Sequence, residues 1–508
     1  MIKNAFFLSL LICMCTAKVF AQELRVDSVA DNSFSGLKNG MNGNASYFYY
    51  LSASADKSQT EIQVRYTLQQ FLELKQFKVS IPKTSYIQAS AALDIGFVFY
   101  LADKSQHTRT LLVVDFSGKV VNKKTEDGVD DKLLAPDAYV YINSAMPVGI
   151  LLVTRSNTNK SAYTISKLNL ELKEDWLKEI KPESGGTIDI VGVNITMDKA
   201  HVLSREYIGG KQPVYKAALS SFFCENGDVI AHNMIKDGND YCVPIFLNGR
   251  DIMSVTAGLY YPDGKYKPGG AQGILIQYFT ESGMVERNIK IPMSQLNSFL
   301  PDAAIEALSK NGLLAVVDAF QNERSAMTVV CEVVDNVYLE SAKESNVMVS
   351  DLMVINTDIE NNLEKVQVLR NVKPFNVIFK GSMASSNTLT LTEWIKNNEL
   401  LHYRFNADGA GATHIAYIAN ADTERIKAVF VPASNASKDL EREPVLLRLP
   451  EIERKLKWKN TFTIDDAALK SVRYADWKKI NVVHGISSTI RVVNYMPPQL
   501  VMAQERTF

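Results

Sequence analysis

The residues able to hold a metal, activate a nucleophile or cradle a phosphate are scattered along this chain. Its six histidines are His107, His201, His232, His402, His414 and His484, and no pair has the i, i+4 or short-loop spacing of a zinc site. Three loops set carboxylates beside glycine: "DGVDD" (127–131), "KDGND" (236–240) and "NADGAGA" (406–412). None continues into a twelve-residue calcium loop with its terminal glutamate, so they read as solvated turns. Neither a metal nor another cofactor is expected.

The stretch "LLVVDFSGKVV" (111–121) imitates the apolar strand and acidic end of a nucleotide site. Phosphate binding also needs a glycine-rich loop closing on Gly-Lys-Ser/Thr. Gly118-Lys119, Gly210-Lys211 and Gly264-Lys265 are instead followed by Val120, Gln212 and Tyr266, which removes that chemistry. A nucleophile elbow fails at "GISST" (485–489), where threonine replaces the last glycine. Carboxylate pairs for glycoside hydrolysis are brought together by a fold, not by spacing, so sequence alone selects none. Trp176, Trp394, Trp458 and Trp477 could stack on a sugar ring, as could Tyr260-Tyr261, yet all fit a core equally well. The loop "DGKYKPGGAQG" (263–273) is the longest hairpin tip and the best single place for a ligand contact.

The elements that would carry these residues are strands. A short apolar or aromatic strand, a polar turn and a second strand recur along the chain. The first strands are "SYFYYL" (46–51), "FVFYL" (97–101), "GILLV" (149–153), "AHVL" (200–203), "TAGLYY" (256–261) and "LLAVVDAF" (313–320), spaced about 51 to 58 residues apart. A seventh, "LLHYRF" (400–405), follows after about 87 residues. Three of the turns after the second strands superimpose. Asp115, Cys224 and Thr280 open them, Gly118, Gly227 and Gly283 follow three positions on, and Val120, Val229 and Val285 come two beyond. A left-handed residue in a tight turn explains the glycine. The pentapeptide "ADKSQ" occurs at 55–59 and again at 102–106, in hairpin tips of successive units.

Units of this length, each giving about four antiparallel strands, resemble the blades of secreted β-propeller proteins, and the resemblance covers residues 45–435. It implies a mainly β fold of about seven blades, six to eight being compatible, with a few short helices near the C-terminus. The chain also looks like the uncharacterised exported β-rich proteins of Gram-negative bacteria. Tandem β-sandwich domains are the alternative, disfavoured by the regular spacing. Residues 340–395 fit the repeat least, because "VMVSDLMVINTDIENNLEKVQVLR" adds strands outside it. Residues 301–312 and 465–480 read as helices, and "STIRVVNYM" (488–496) as a strand that could close the ring.

Residues 1–21 read as a signal peptide: Lys3, an apolar run over 5–15, and "VFA" before the expected cut after Ala21. Removing them takes away Lys3 and Lys18 and moves the formal charge from −1 to −3. Such a balance does not favour nucleic acid as a partner. No later apolar stretch is long enough for a transmembrane helix. The expected organisation is a signal peptide (1–21), a lead segment (22–44), the repeat domain (45–435) and a C-terminal segment (436–508). In an oxidising compartment Cys224 and Cys242, which flank one loop, could form a disulfide. The resulting expectation is an exported, periplasmic or extracellular, non-catalytic binding or scaffold protein recognising a protein or glycan at the cell envelope. The alternative is an extracellular carbohydrate-active enzyme with carboxylates on loops around a channel. An acid pair beside an aromatic platform would favour the enzyme, and an apolar patch on one ring face the binding module.

Overall fold

Strands 96–103 and 108–115 show how the sequence builds this architecture. The run "GFVFYLAD" is apolar on both faces, and in the structure, a computed structural model, every residue of Gly96–Asp103 is buried. Phe97, Phe99 and Leu101 pack to one side with Tyr47, Ile62, Val64 and Phe77. Val98 and Tyr100, one residue out of phase, pack to the other side with Ile142 and Ile150. Successive side chains on a strand point to opposite faces, so a continuous apolar run is what a sheet stacked between two others requires. The outermost strand of the preceding sheet, Lys75–Pro82, alternates instead, with Phe77, Val79 and Ile81 buried between exposed neighbours.

The structure describes residues 21–28, 38–39 and 45–380 apart from short connections, and then the strands within 402–448 and 477–506. These residues form eight antiparallel sheets. Numbered along the chain, blades 1 to 4 are four-stranded and end on Lys75–Pro82, Val120–Glu126, Glu174–Ile180 and Val229–Met234. Blade 5 has a split inner strand, Asp240–Pro244 and Asn248–Arg250, and ends on Val285–Pro292. Blade 6 runs from Leu313–Gln321 to Leu363–Leu369, with Phe375–Lys380 added beside Glu344–Thr357. Blade 7 lies within 402–448. Apolar cores fill each seam from blades 1–2 to blades 5–6. The inner strand of blade 8, Trp477–His484, lies beside those of blade 7, His402–Asn406, and blade 1, Lys38–Asn39. The fold is a β-propeller.

Blade 8 joins the two ends of the chain. Trp477–His484, Ser488–Tyr495 and Gln499–Arg506 come from the C-terminal part, and Ala21–Ser28 supplies the outer strand. Ala21 pairs with Arg506 and Ser28 with Gln499. The stretch read as a lead segment is therefore partly a blade strand. Residues 477–480, expected to be helical, begin a strand whose Ile480, Val482 and Val483 are β-branched; 465–476 lie outside the described residues.

The expected pairs of strands are present, but their phase slips. In blades 1 to 5 they are the second and third strands; in blades 6 and 7, 313–320 and 400–405 fall on first strands instead. The slip and the two-ended blade account for eight sheets, the upper end of the six to eight expected. Among the described residues, short helices sit between blades 5 and 6, one of them within the 301–312 read as helical. They are α1 (Met293–Asn297), which buries Leu296, and α2 (Asp302–Lys310), which buries Ala304 and Leu308 one turn apart; Leu300 of the connection joins them in the seam.

Candidate functional site

Antiparallel alternation puts the turns between second and third strands at one end of every blade and those between third and fourth strands at the other. The first end carries most of the residues singled out from sequence. In "KDGND", Asp237 and Asp240 converge on Lys290, whose ammonium lies 3.3 Å and 2.6 Å from their carboxylates and 5.0 Å over the Tyr260 ring. The hydrogen bond to Asp240 holds the Lys290 ammonium above its ordinary range. The two acids thus share one lysine as their partner. In "DGVDD", Asp131 pairs with His107 at 3.0 Å. "NADGAGA" lies outside the described residues except for Asn406. Among the described residues no group of three or more metal-ligating side chains forms.

Residues 264–266 of the loop 263–273 pack onto the neighbouring blade. The amide of Tyr215 donates to Gly264 O at 3.0 Å, Val214 bridges Lys265, and the Tyr266 ring stands edge-on to Tyr215 and Tyr261. Tyr260 and Tyr261 are buried, and so is Trp176; Trp394 and Trp458 lie outside the described residues, as does the side chain of Trp477. None of the described members of this set is an exposed sugar platform.

The "ADKSQ" recurrence does not mark equivalent positions. Ala102 and Asp103 still belong to a strand, and the left-handed residue of that hairpin is His107. In blade 1 the pentapeptide starts beyond the strand end at Ala53, and Lys57 takes the left-handed conformation. Asp103 has its own task. Burial acts to raise its pKa, but hydrogen bonds from Thr84, Ser105 and Gln106 outweigh that and hold it below the usual carboxylate range.

The other end is built by a repeated device. Gly118, Gly227 and Gly283 take positive φ of 86°, 73° and 76°, as the turn chemistry requires. In blade 3, where glycine is missing, Leu172 holds φ 62° and donates its amide to Asn169 O at 2.9 Å. Each of these turns accepts a hydrogen bond from the preceding blade. Tyr66 Oη donates to Phe116 O, Asn122 Nδ2 to Leu170 O, Trp176 Nε1 to Cys224 O and Asn233 Nδ2 to Gly283 O, over 2.6–2.9 Å. Donor and acceptor are always 48 to 50 residues apart in sequence, one blade length. The ties lock the third-to-fourth-strand turns of blades 2 to 5 onto one common face.

That face is where apolar side chains reach solvent. Nine large apolar residues are exposed among the described residues, and seven of them lie here. Val120 and Val121 follow the turn of blade 2, and Val148 sits before the second strand of blade 3. Phe223, Val229, Met284 and Val285 flank the turns of blades 4 and 5; Val229 is 61 % exposed. Lys199 links the turns of blades 4 and 5 there: it pairs with Glu281 and, at 3.1 Å, with Asp198, and stands 6.0 Å over the Phe223 ring. Val120, Val229 and Val285 are the valines placed two positions after the turn glycine in the sequence pattern, so the repeat that read as architecture also carries the surface.

Beneath the patch lies an arrangement that resembles a catalytic relay and is not one. His201 Nδ1 contacts Ser221 Oγ at 2.8 Å, and its Nε2 contacts Thr196 Oγ1 at 2.7 Å. His201 and Ser221 have no solvent exposure. Burial, with Lys199 nearby, pushes the imidazole down to about 4, so it stays neutral. No substrate reaches Ser221, and the trio serves the blade. Cys224 and Cys242, the possible disulfide pair, are free, buried thiols: Cys224 packs in the blade 3–4 seam and Cys242 in the blade 4–5 seam, with blade 4 between them. Burial pushes the Cys224 thiol up to about 12 and Cys242 higher still, which makes both inert.

No family model and no curated protein sequence matches the chain. Among solved structures it is similar to the β-propeller domain of the trilobed protease from Pyrococcus furiosus, at 8% identity over 69% of this chain and 95% of that one, with a TM-score of 0.33. It is also similar to the periplasmic gluconolactonase of Pseudomonas aeruginosa, at 10% identity over 68% of this chain and 87% of that one, with a TM-score of 0.35. Identities and scores this low carry no argument about site or activity.

Proposed function

We propose that this protein is an exported, non-catalytic binding module that docks a protein partner at the cell envelope through its third-to-fourth-strand turn face. The observation that carries the reading is the concentration there of seven of nine exposed large apolar side chains. Exposed apolar area gathered on one face of a folded protein marks an interaction surface. The signal-like residues 1–21 support export, and among the described residues no helix is long and apolar enough to cross a membrane. At the opposite end, Asp237 and Asp240 converge on Lys290 and are bridged by it, which weighs against this pair as the acids of a carbohydrate enzyme.

The test is fractionation of cells producing the full chain. Wild type is expected in the envelope fraction, and the triple variant Phe223→Ser, Val229→Ser, Met284→Ser in the free soluble fraction with an unchanged melting temperature. A wild-type protein that is free of the envelope and cleaves a polysaccharide in a hydrolysis screen overturns the reading.

A further inference from the structure

The charge around the apolar patch says which partner it takes. In the turns of blades 2 to 5, Asp115, Glu171, Glu225, Asp228 and Glu281 stand against Lys119 and Lys173. The links between first and second strands at the same end add Asp94 and Asp198 against Lys199, and Arg250 ends the inner strand of blade 5 there. Two of the three lysines are already committed within the face, Lys173 to Glu171 at 2.7 Å and Lys199 to Glu281 and Asp198. The opposite end is balanced, with Lys83, Lys104, Lys132 and Lys265 among Asp127, Asp131, Asp237 and Asp263. One face of the ring therefore combines apolar knobs with an acidic surround, and the other does not.

Resting on the reading of this face as a docking surface, we infer that its partner is a protein segment whose lysine or arginine side chains flank apolar ones. Apolar anchors supply affinity, while opposite potentials steer approach and reject wrong partners. A phospholipid surface with net negative charge meets the same sign and is repelled. A second copy docking face to face meets its own acids. A neutral glycan is indifferent to the acidic surround, and valine and methionine offer it no stacking plane.

The test uses the full exported chain and two synthetic peptides with identical leucine and valine positions, one spaced by lysine and the other by glutamate. Fluorescence anisotropy is expected to show the lysine peptide binding at least about tenfold tighter, with the difference shrinking between roughly 50 mM and 500 mM NaCl. Glu225→Lys with Asp228→Lys should reverse the preference at an unchanged melting temperature, and Val229→Ser with Met284→Ser should weaken the lysine peptide. Equal binding of both peptides, or tighter binding to phosphatidylglycerol vesicles than to the lysine peptide, overturns the inference. The two readings fail separately. If envelope retention survives Val229→Ser with Met284→Ser, the docking face itself is wrong. If those substitutions abolish retention while salt and Glu225→Lys with Asp228→Lys leave it intact, only the basic partner is wrong.

Discussion

His201 has both ring nitrogens engaged and no contact with solvent, so its charge is tied to folding. Its folded value, about 4, lies below the ordinary 6.5. Between those values the unfolded chain binds a proton that the folded chain refuses. The contribution is therefore full above pH 6.5 and is lost as pH falls towards 4, at most about 3 kcal/mol. His201→Gln should flatten the loss of melting temperature across that window; parallel curves for the two proteins would sink the assignment. Gly283 makes a second case. An added Cβ there overlaps Ser221 Oγ, whereas at Gly128, with a similar positive φ of 69°, it meets nothing. Both alanine variants bear the left-handed cost of about 1 kcal/mol. Gly283→Ala should lose distinctly more stability than Gly128→Ala in chemical denaturation, and equal losses would count against the packing described for the turn.

At the scale of elements, the apolar strands were legible because a sheet buried on two faces needs continuous apolar runs, and "GFVFYLAD" is one. The turn glycines were legible for a comparable reason: only φ above zero explains their shared offset. The ties between blades were not. Tyr66, Asn122, Trp176 and Asn233 do one job with three kinds of side chain, and their targets are backbone carbonyls that leave no mark in sequence. Leu172 hid the blade 3 turn in the same way, since a buried leucine disguises a left-handed position. "ADKSQ" failed in the opposite direction. Its letters repeat, but the hairpins that hold it differ in length, so identical residues end in unlike conformations. The candidate site was half visible: the repeated valines were on the page, while their exposure depends on lying at a turn exit.

For the whole molecule, the sequence left the count of blades between six and eight, because blade 8 draws its strands from residues 21–28 and 477–506, which no local pattern connects. Deleting residues 485–508 removes two of its strands and leaves Ala21–Ser28 without its neighbour. A large fall in melting temperature is expected, and an unchanged one would show that closure does not hold the ring. The pairing of Gln22–Ser28 with Gln499–Glu505 has a further consequence during synthesis. Blades 1 to 7 can assemble as they emerge, but the outer strand of blade 8, made first, waits for the partner made last. Until then it is an unpaired strand edge, a template for wrong association and a target for proteases. A chain lacking residues 499–506 leaves Ala21–Ser28 with no partner on either side, so closure of blade 8 makes the integrity of the ring depend on two segments far apart in sequence.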